Sequence, residues 1–164
     1  MFSLSRFLLQ SHWAVVVCGS LLTIFAALAS RKVNKVMFPL YMLFIVYMTV
    51  MAREIGIKSV KFDLFWSYRL SLDNAVLRME ILNNIWLFIP LGAILYRLYP
   101  KWNVVLLLIV ISVAIEISQY VLGVGFSELD DVIHNGVGGV IGVIVCAGVR
   151  KWLSRGDCQG ERFC

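Results

Sequence analysis

The chain has 164 residues, 60% of them hydrophobic and 15% charged, with a formal charge of +5. Globular proteins carry roughly 25% charged residues on average, so the composition excludes a water-soluble domain and fits one membrane domain, 1–164. The lysines and arginines flank apolar runs instead of forming a basic stripe with aromatic stacking positions, so no nucleic-acid partner is expected.

Five apolar stretches follow one another: Trp13–Ala29, Val36–Ala52, Ile81–Tyr99, Val104–Val121 and Val132–Trp152. Each is near the roughly 17–25 residues a helix needs to cross the hydrocarbon core. The first has two readings. Arg6, the apolar run and Ala27-Leu28-Ala29 imitate a secretory signal with its cleavage site. Arg31, Lys32 and Lys35 follow at once and resist translocation, which favours a retained helix. Asn34 and Glu54 read as ordinary loop residues, and the methionines of Met37–Met51 as packing or lipid-facing side chains.

The connection Arg53–Glu80 is too polar to span. Its middle, Phe62–Tyr68, concentrates aromatics as an interfacial segment does. Asn83 and Asn84 begin the third stretch, and Pro90 within it should kink the helix and free a carbonyl. The fourth stretch carries Glu116 and Gln119 and runs into the acidic loop Gly123–Asp131. Trp102 and Trp152 read as membrane-belt anchors. Cys18 and Cys146 lie in apolar runs, Cys158 and Cys164 in a short polar tail, 153–164, and no CxxC spacing suggests a metal or redox site.

With five spans the termini lie on opposite sides of the membrane. One side collects Arg31, Lys32, Lys35, Arg97, Lys101, Arg150, Lys151, Arg155 and Arg162. The other collects the smaller set Arg6, Arg53, Lys58, Lys61, Arg69 and Arg78. The bias predicts the N-terminus outside, the C-terminus in the cytoplasm, and the acidic loop facing outward in a multi-pass protein of the plasma membrane.

A carboxylate near bilayer depth costs about 2.5–3.5 kcal/mol on insertion scales, so Glu116 needs a compensating environment. Helical spacing puts Ser112, Glu116, Gln119 and Tyr120 on one face. Asp131, Asn135 and Gly139 share a face of the last helix, while His134, Gly138 and Gly142 share the adjacent one. Gly138 and Gly142 form a GxxxG that admits a neighbouring helix closely. The expected arrangement packs the fourth and fifth helices together, with Glu116 toward Asn135 or His134 and the asparagines of the third helix at the same level. Three readings apply. The polar groups hold the bundle together; they line an outward pocket for a polar headgroup or amphipathic ligand; or Glu116, Asp131 and His134 hold a divalent metal for catalysis. HExxH, GxSxG and P-loop motifs are all lacking.

Phe65-Trp-Ser-Tyr68, Glu80-Ile-Leu-Asn-Asn-Ile-Trp-Leu-Phe-Ile-Pro-Leu-Gly92, Glu116-Ile-Ser-Gln119 and Glu128-Leu-Asp-Asp-Val-Ile-His-Asn135 with Gly138-Gly139 together resemble the VanZ-like family. The four blocks occur in the family's order over a core of about 60–145. The resemblance carries over to Asn84, Phe88, Pro90, Gly92, Glu116, Gln119, Asp131, Asn135 and Gly139. It implies a small polytopic membrane protein, and its founding member is associated with lowered susceptibility to the glycopeptide teicoplanin. Many members carry an Arg shortly before the acidic block. This chain reads Leu122-Gly-Val-Gly-Phe126 there, so the cation expected beside the acids would come from Arg69 or Arg78.

The expectation is therefore an all-α, polytopic transmembrane bundle of about five helices that needs no cofactor. Its ligand set would be Glu116, Gln119, Asp131, Asn135 and Asn84, with Phe65, Trp66 and Tyr68 as the apolar wall. The expected partners are membrane lipids and a lipid-linked cell-wall precursor, glycopeptide or lipopeptide. The alternatives are a metal-dependent intramembrane enzyme and a structural partner subunit; the oligomeric state is not specified.

Overall fold

The computed structural model describes residues 12–51, 59–61, 74–124 and 126–160. Backbone groups in hydrocarbon must be satisfied within their own segment, which makes each apolar run helical. The runs form α1 (His12–Leu28), α2 (Arg31–Val46, continued by a π-helical turn, Tyr47–Met51), α3 (Ala75–Leu98), α4 (Val104–Leu122) and α5 (Leu129–Gly160). Four of these spans are long and apolar enough to cross a membrane, and α1 is a shorter apolar helix. The expected all-α membrane bundle is thus the observed one.

Its one addition is a pair of short parallel strands, β1 (Ser59–Lys61) and β2 (Phe126–Glu128), in the register Ser59 to Phe126, Val60 to Ser127 and Lys61 to Glu128. The pairing ties the α2–α3 connection to the α4–α5 connection, so both lie at one end of the bundle. At the other end the Arg97 Nε donates to the Ala29 carbonyl at 2.9 Å, joining the end of α3 to the α1–α2 turn. The helices therefore alternate in direction, as five spans require, with α1, α3 and α5 parallel.

Two helices begin earlier than hydropathy predicts. α3 starts at Ala75, not Ile81, because its first turns carry Arg78 and Glu80. α5 starts at Leu129, not Val132, with Asp130 and Asp131 in its first turn, where the positive end of the helix dipole favours acids. It then runs to Gly160, through most of the predicted polar tail. Gly123, in the left-handed conformation at φ 66°, closes α4 by turning its N–H back onto the Gln119 and Tyr120 carbonyls.

The centre of the bundle is the seam between α3 and α5, the most extensive helix–helix contact in the molecule. A Cβ on Gly138 or Gly142 would overlap the carbonyl of Ile85 or Ile89, and one on Gly92 would overlap the carbonyl of Gly139. The neighbour admitted by the glycine pair is thus α3. Phe88, Leu91, Ile94, Leu95, Val143 and Cys146 are fully enclosed around this seam. On α4, Leu106, Val110, Ile117 and Val121 form an exposed apolar stripe suited to lipid, while Leu108, Ser112, Ile115, Glu116 and Gln119 face inward.

Two further expectations were tested by packing. Near Pro90, the Leu87 carbonyl accepts from the Tyr41 hydroxyl at 2.8 Å, which ties α3 to α2; the carbonyl that the proline leaves without its helical donor is that of Trp86, one residue earlier. Asn34 is not a loop residue. It is fully buried in the first turn of α2, and its Nδ2 donates to the Ala26, Ala29 and Ser30 carbonyls at 3.0, 3.4 and 3.1 Å. The Ala26 and Ala29 carbonyls belong to the end of α1, which lacks helical partners for them, whereas the Ser30 carbonyl also accepts the Asn34 backbone N–H. Ala26 and Ala27 are buried as well, while Leu28 is exposed. Glu54 lies outside the described residues.

Candidate functional site: a buried polar layer under the paired strands

The α4–α5 contact is set by two pairs of small or polar groups. Asn135 Nδ2 donates to Ser112 Oγ at 2.9 Å. One turn further into the membrane, Gly139 leaves room for Leu108, whose Cδ1 would lie 2.7 Å from an added Cβ. This antiparallel register, continued one turn toward the strands, sets Glu116 level with Asp131. The parallel α3–α5 register, in which Ile85 meets Gly138, sets Arg78 level with the same Asp131. Of the two cations expected beside the acids, Arg78 is therefore at the right level, and Arg69 lies outside the described residues.

Glu116 is 6% exposed, and its Oε2 accepts the backbone N–H of Glu128 at 3.0 Å. That N–H stands at the entrance to α5, so the carboxylate is placed against a helix N-terminus, the favourable location for an anion. Here is a physical answer to the cost of Glu116: a charge-assisted hydrogen bond and an aligned dipole. Asp130 is 1% exposed and more deeply enclosed than Asp131, whose side chain is 14% exposed. His134 is fully enclosed, with its Nδ1 3.7 Å from an Asp131 carboxylate oxygen.

Gln119 extends the layer to α2. Its Nε2 donates to the Thr49 carbonyl at 3.0 Å, and Thr49 sits in the π-helical turn, its own hydroxyl donating to the Ile45 carbonyl at 2.8 Å. Single π turns inside membrane-length helices are frequent at functional sites. Gln119 Oε1 is buried with no hydrogen-bond partner among the described residues. An unsatisfied buried acceptor costs about 1–3 kcal/mol, and Asn34 Oδ1 at the other end of the bundle is left in the same state.

Glu116, Gln119 and Asn135 are buried and Asp131 is partly exposed, and along α4 they extend from the level of Ser112 to Gln119, about two turns. Asn84 is half-buried on α3 beside Ile85, level with the glycine contact. Phe65, Trp66 and Tyr68 lie outside the described residues. Tyr120, predicted on the polar face, is 47% exposed and belongs to the lipid-facing side. Among the described residues no three of His, Cys, Asp and Glu are grouped so as to hold a metal ion. Sequence reasoning missed Asp130 and Thr49. Asp130 could have been found from its i, i+4 spacing to His134 had the helix been started earlier; Thr49 carries no such signal, because the π turn that presents its carbonyl is not legible in the sequence.

Comparison with known proteins gives consistent results. The family model described as VanZ/LLP1 matches residues 38–151. Protein VanZ of Enterococcus faecium is 36% identical over 70 residues, a match covering 39% of this chain and 42% of that protein. The aligned region is therefore less than half the length of that relative. No solved structure matches.

Proposed function

The chain belongs to the VanZ/LLP1 family of membrane proteins, and from that premise we propose that it binds a lipid-linked or amphipathic molecule through the acidic end of its bundle. In this reading the paired-strand end faces outward at the plasma membrane, with the C-terminus in the cytoplasm. Glu116, Asp131 and Asn135 are the polar anchors. The observation that supports the proposal is Gln119 Oε1, buried and without a hydrogen-bond partner among the described residues, one turn from the Glu116 carboxylate. A ligand bringing hydroxyl or amine donors would satisfy it. Phe65, Trp66 and Tyr68 would supply apolar contact for the hydrocarbon part.

Lowered glycopeptide susceptibility is the phenotype to test, since the resemblance attaches it to the founding member of the family. Wild type, Glu116→Gln and Asp131→Asn are expressed in a glycopeptide-susceptible bacterium, and membrane abundance and teicoplanin susceptibility are read on the same cultures. The proposal expects protection by wild type that is lost in mutants accumulating to the same level. Equal protection by the mutants would make the acidic layer packing alone. No protection by wild type would remove glycopeptides from the reading.

A further inference from the structure

The end of the bundle opposite the acidic layer carries a feature that the proposed binding role does not use. Along the α3–α5 seam Ile85 meets Gly138 and Ile89 meets Gly142. The same parallel register sets Ala93 opposite Cys146, both fully buried, and then Arg97 opposite Arg150. Both arginines are half-buried.

Among the described residues neither arginine has an ion pair. Glu80, Glu116, Glu128, Asp130 and Asp131 sit at the other end of the bundle. Arg97 uses its Nε on the Ala29 carbonyl. Two neighbouring cations, partly removed from water, repel each other unless an anion lies between them. Around them stand the exposed Lys101, Lys151 and Arg155, and the exposed Trp102 and Trp152, which mark headgroup depth.

We infer that Arg97 and Arg150 together bind the phosphodiester of an anionic phospholipid. Arginine's planar fork suits a phosphate bidentately, whereas lysine offers a point charge. The membrane-boundary position favours a lipid phosphate over a free one, because the acyl chains can lie along the apolar flank of the bundle while the phosphate meets the arginines.

The test uses the full chain purified in detergent, with thermal midpoints measured against added phosphatidylglycerol, phosphatidylcholine of the same chain length, and inorganic phosphate. Wild type and Lys151→Gln should both be raised by phosphatidylglycerol alone. Arg150→Gln should need about fivefold more of that lipid for the same rise, the effect of one cation near a headgroup. Arg150→Lys should fall between them. The inference is overturned if Lys151→Gln loses as much as Arg150→Gln, if phosphatidylcholine works as well, or if inorganic phosphate reproduces the rise. Native mass spectrometry of wild type gives a reading that does not depend on the variants. One phosphatidylglycerol should stay bound at collision energies that strip phosphatidylcholine, and equal loss of the two lipids contradicts the assignment.

Discussion

The two ends of the bundle handle polar groups in opposite ways, and helix direction explains why. α1, α3 and α5 run parallel and α2 and α4 run against them, so one end collects three N-termini and two C-termini and the other the reverse. At the N-terminal end the structure gathers acids: Glu116 accepts the Glu128 N–H, and Asp130 and Asp131 occupy the first turn of α5. At the C-terminal end it gathers donors, as Asn34 and Arg97 hold the last carbonyls of α1. Each end complements the partial charge of the helix termini it meets, worth about 0.3–1 kcal/mol per group at exposed sites and more when partly buried. The difference lies in what is left over. Among the described residues a buried amide oxygen is left over at each end, Gln119 Oε1 at the acidic end and Asn34 Oδ1 at the basic end, and at the basic end two arginines also stand without an ion pair.

The largest expected effects fall on the seam that keeps the two ends in register. Gly142→Leu drives a side chain into the Ile89 carbonyl and should cost more than the about 1–3 kcal/mol of ordinary overpacking, since backbone must move. Folded protein recovered from membranes should collapse. Gly148→Leu, with nothing within 4 Å of its Cβ position, should accumulate normally. Equal recovery of both variants would show that the two ends are not held together by this contact.

Next in size is the cap at the basic end. Asn34→Leu strands buried carbonyls at the α1–α2 turn and should lower stability by about 1–3 kcal/mol, read as a lower thermal midpoint in detergent. A smaller coupling is expected at the acidic end. A double-mutant cycle on Ser112→Ala and Asn135→Ala should give an interaction energy of about 0.6 kcal/mol, the usual size for a hydrogen bond between membrane helices. A coupling near zero would loosen the link between α4 and the acidic layer. The smallest effect belongs to Tyr120→Phe, on the lipid-facing side, which should leave both abundance and teicoplanin susceptibility unchanged.

The spans were legible because their cores are continuous apolar runs, and α4 agrees with its predicted bounds to one residue. Helix starts were less so: Arg78, Glu80, Asp130 and Asp131 are polar yet helical, since the first turn of a membrane helix sits among headgroups or against other helix ends. The site was legible where cost made it conspicuous. Glu116 stood out because a carboxylate in hydrocarbon must be compensated. Its partner could not be read, because a backbone N–H leaves no mark in the sequence. Asn34 was misread for a related reason: its acceptors are carbonyls at the end of another helix, and only packing shows that they converge.

The central claim is that the acidic layer binds a ligand. Its most direct test is mass spectrometry of the small molecules that copurify with wild type and with Glu116→Gln. The glutamine can still accept the Glu128 N–H through its amide oxygen, so the fold should survive. The account predicts an amphipathic molecule, distinct from bulk phospholipid, bound to wild type and absent from a Glu116→Gln protein of unchanged thermal midpoint. The same molecule in equal amount on both proteins, or on neither, would contradict it.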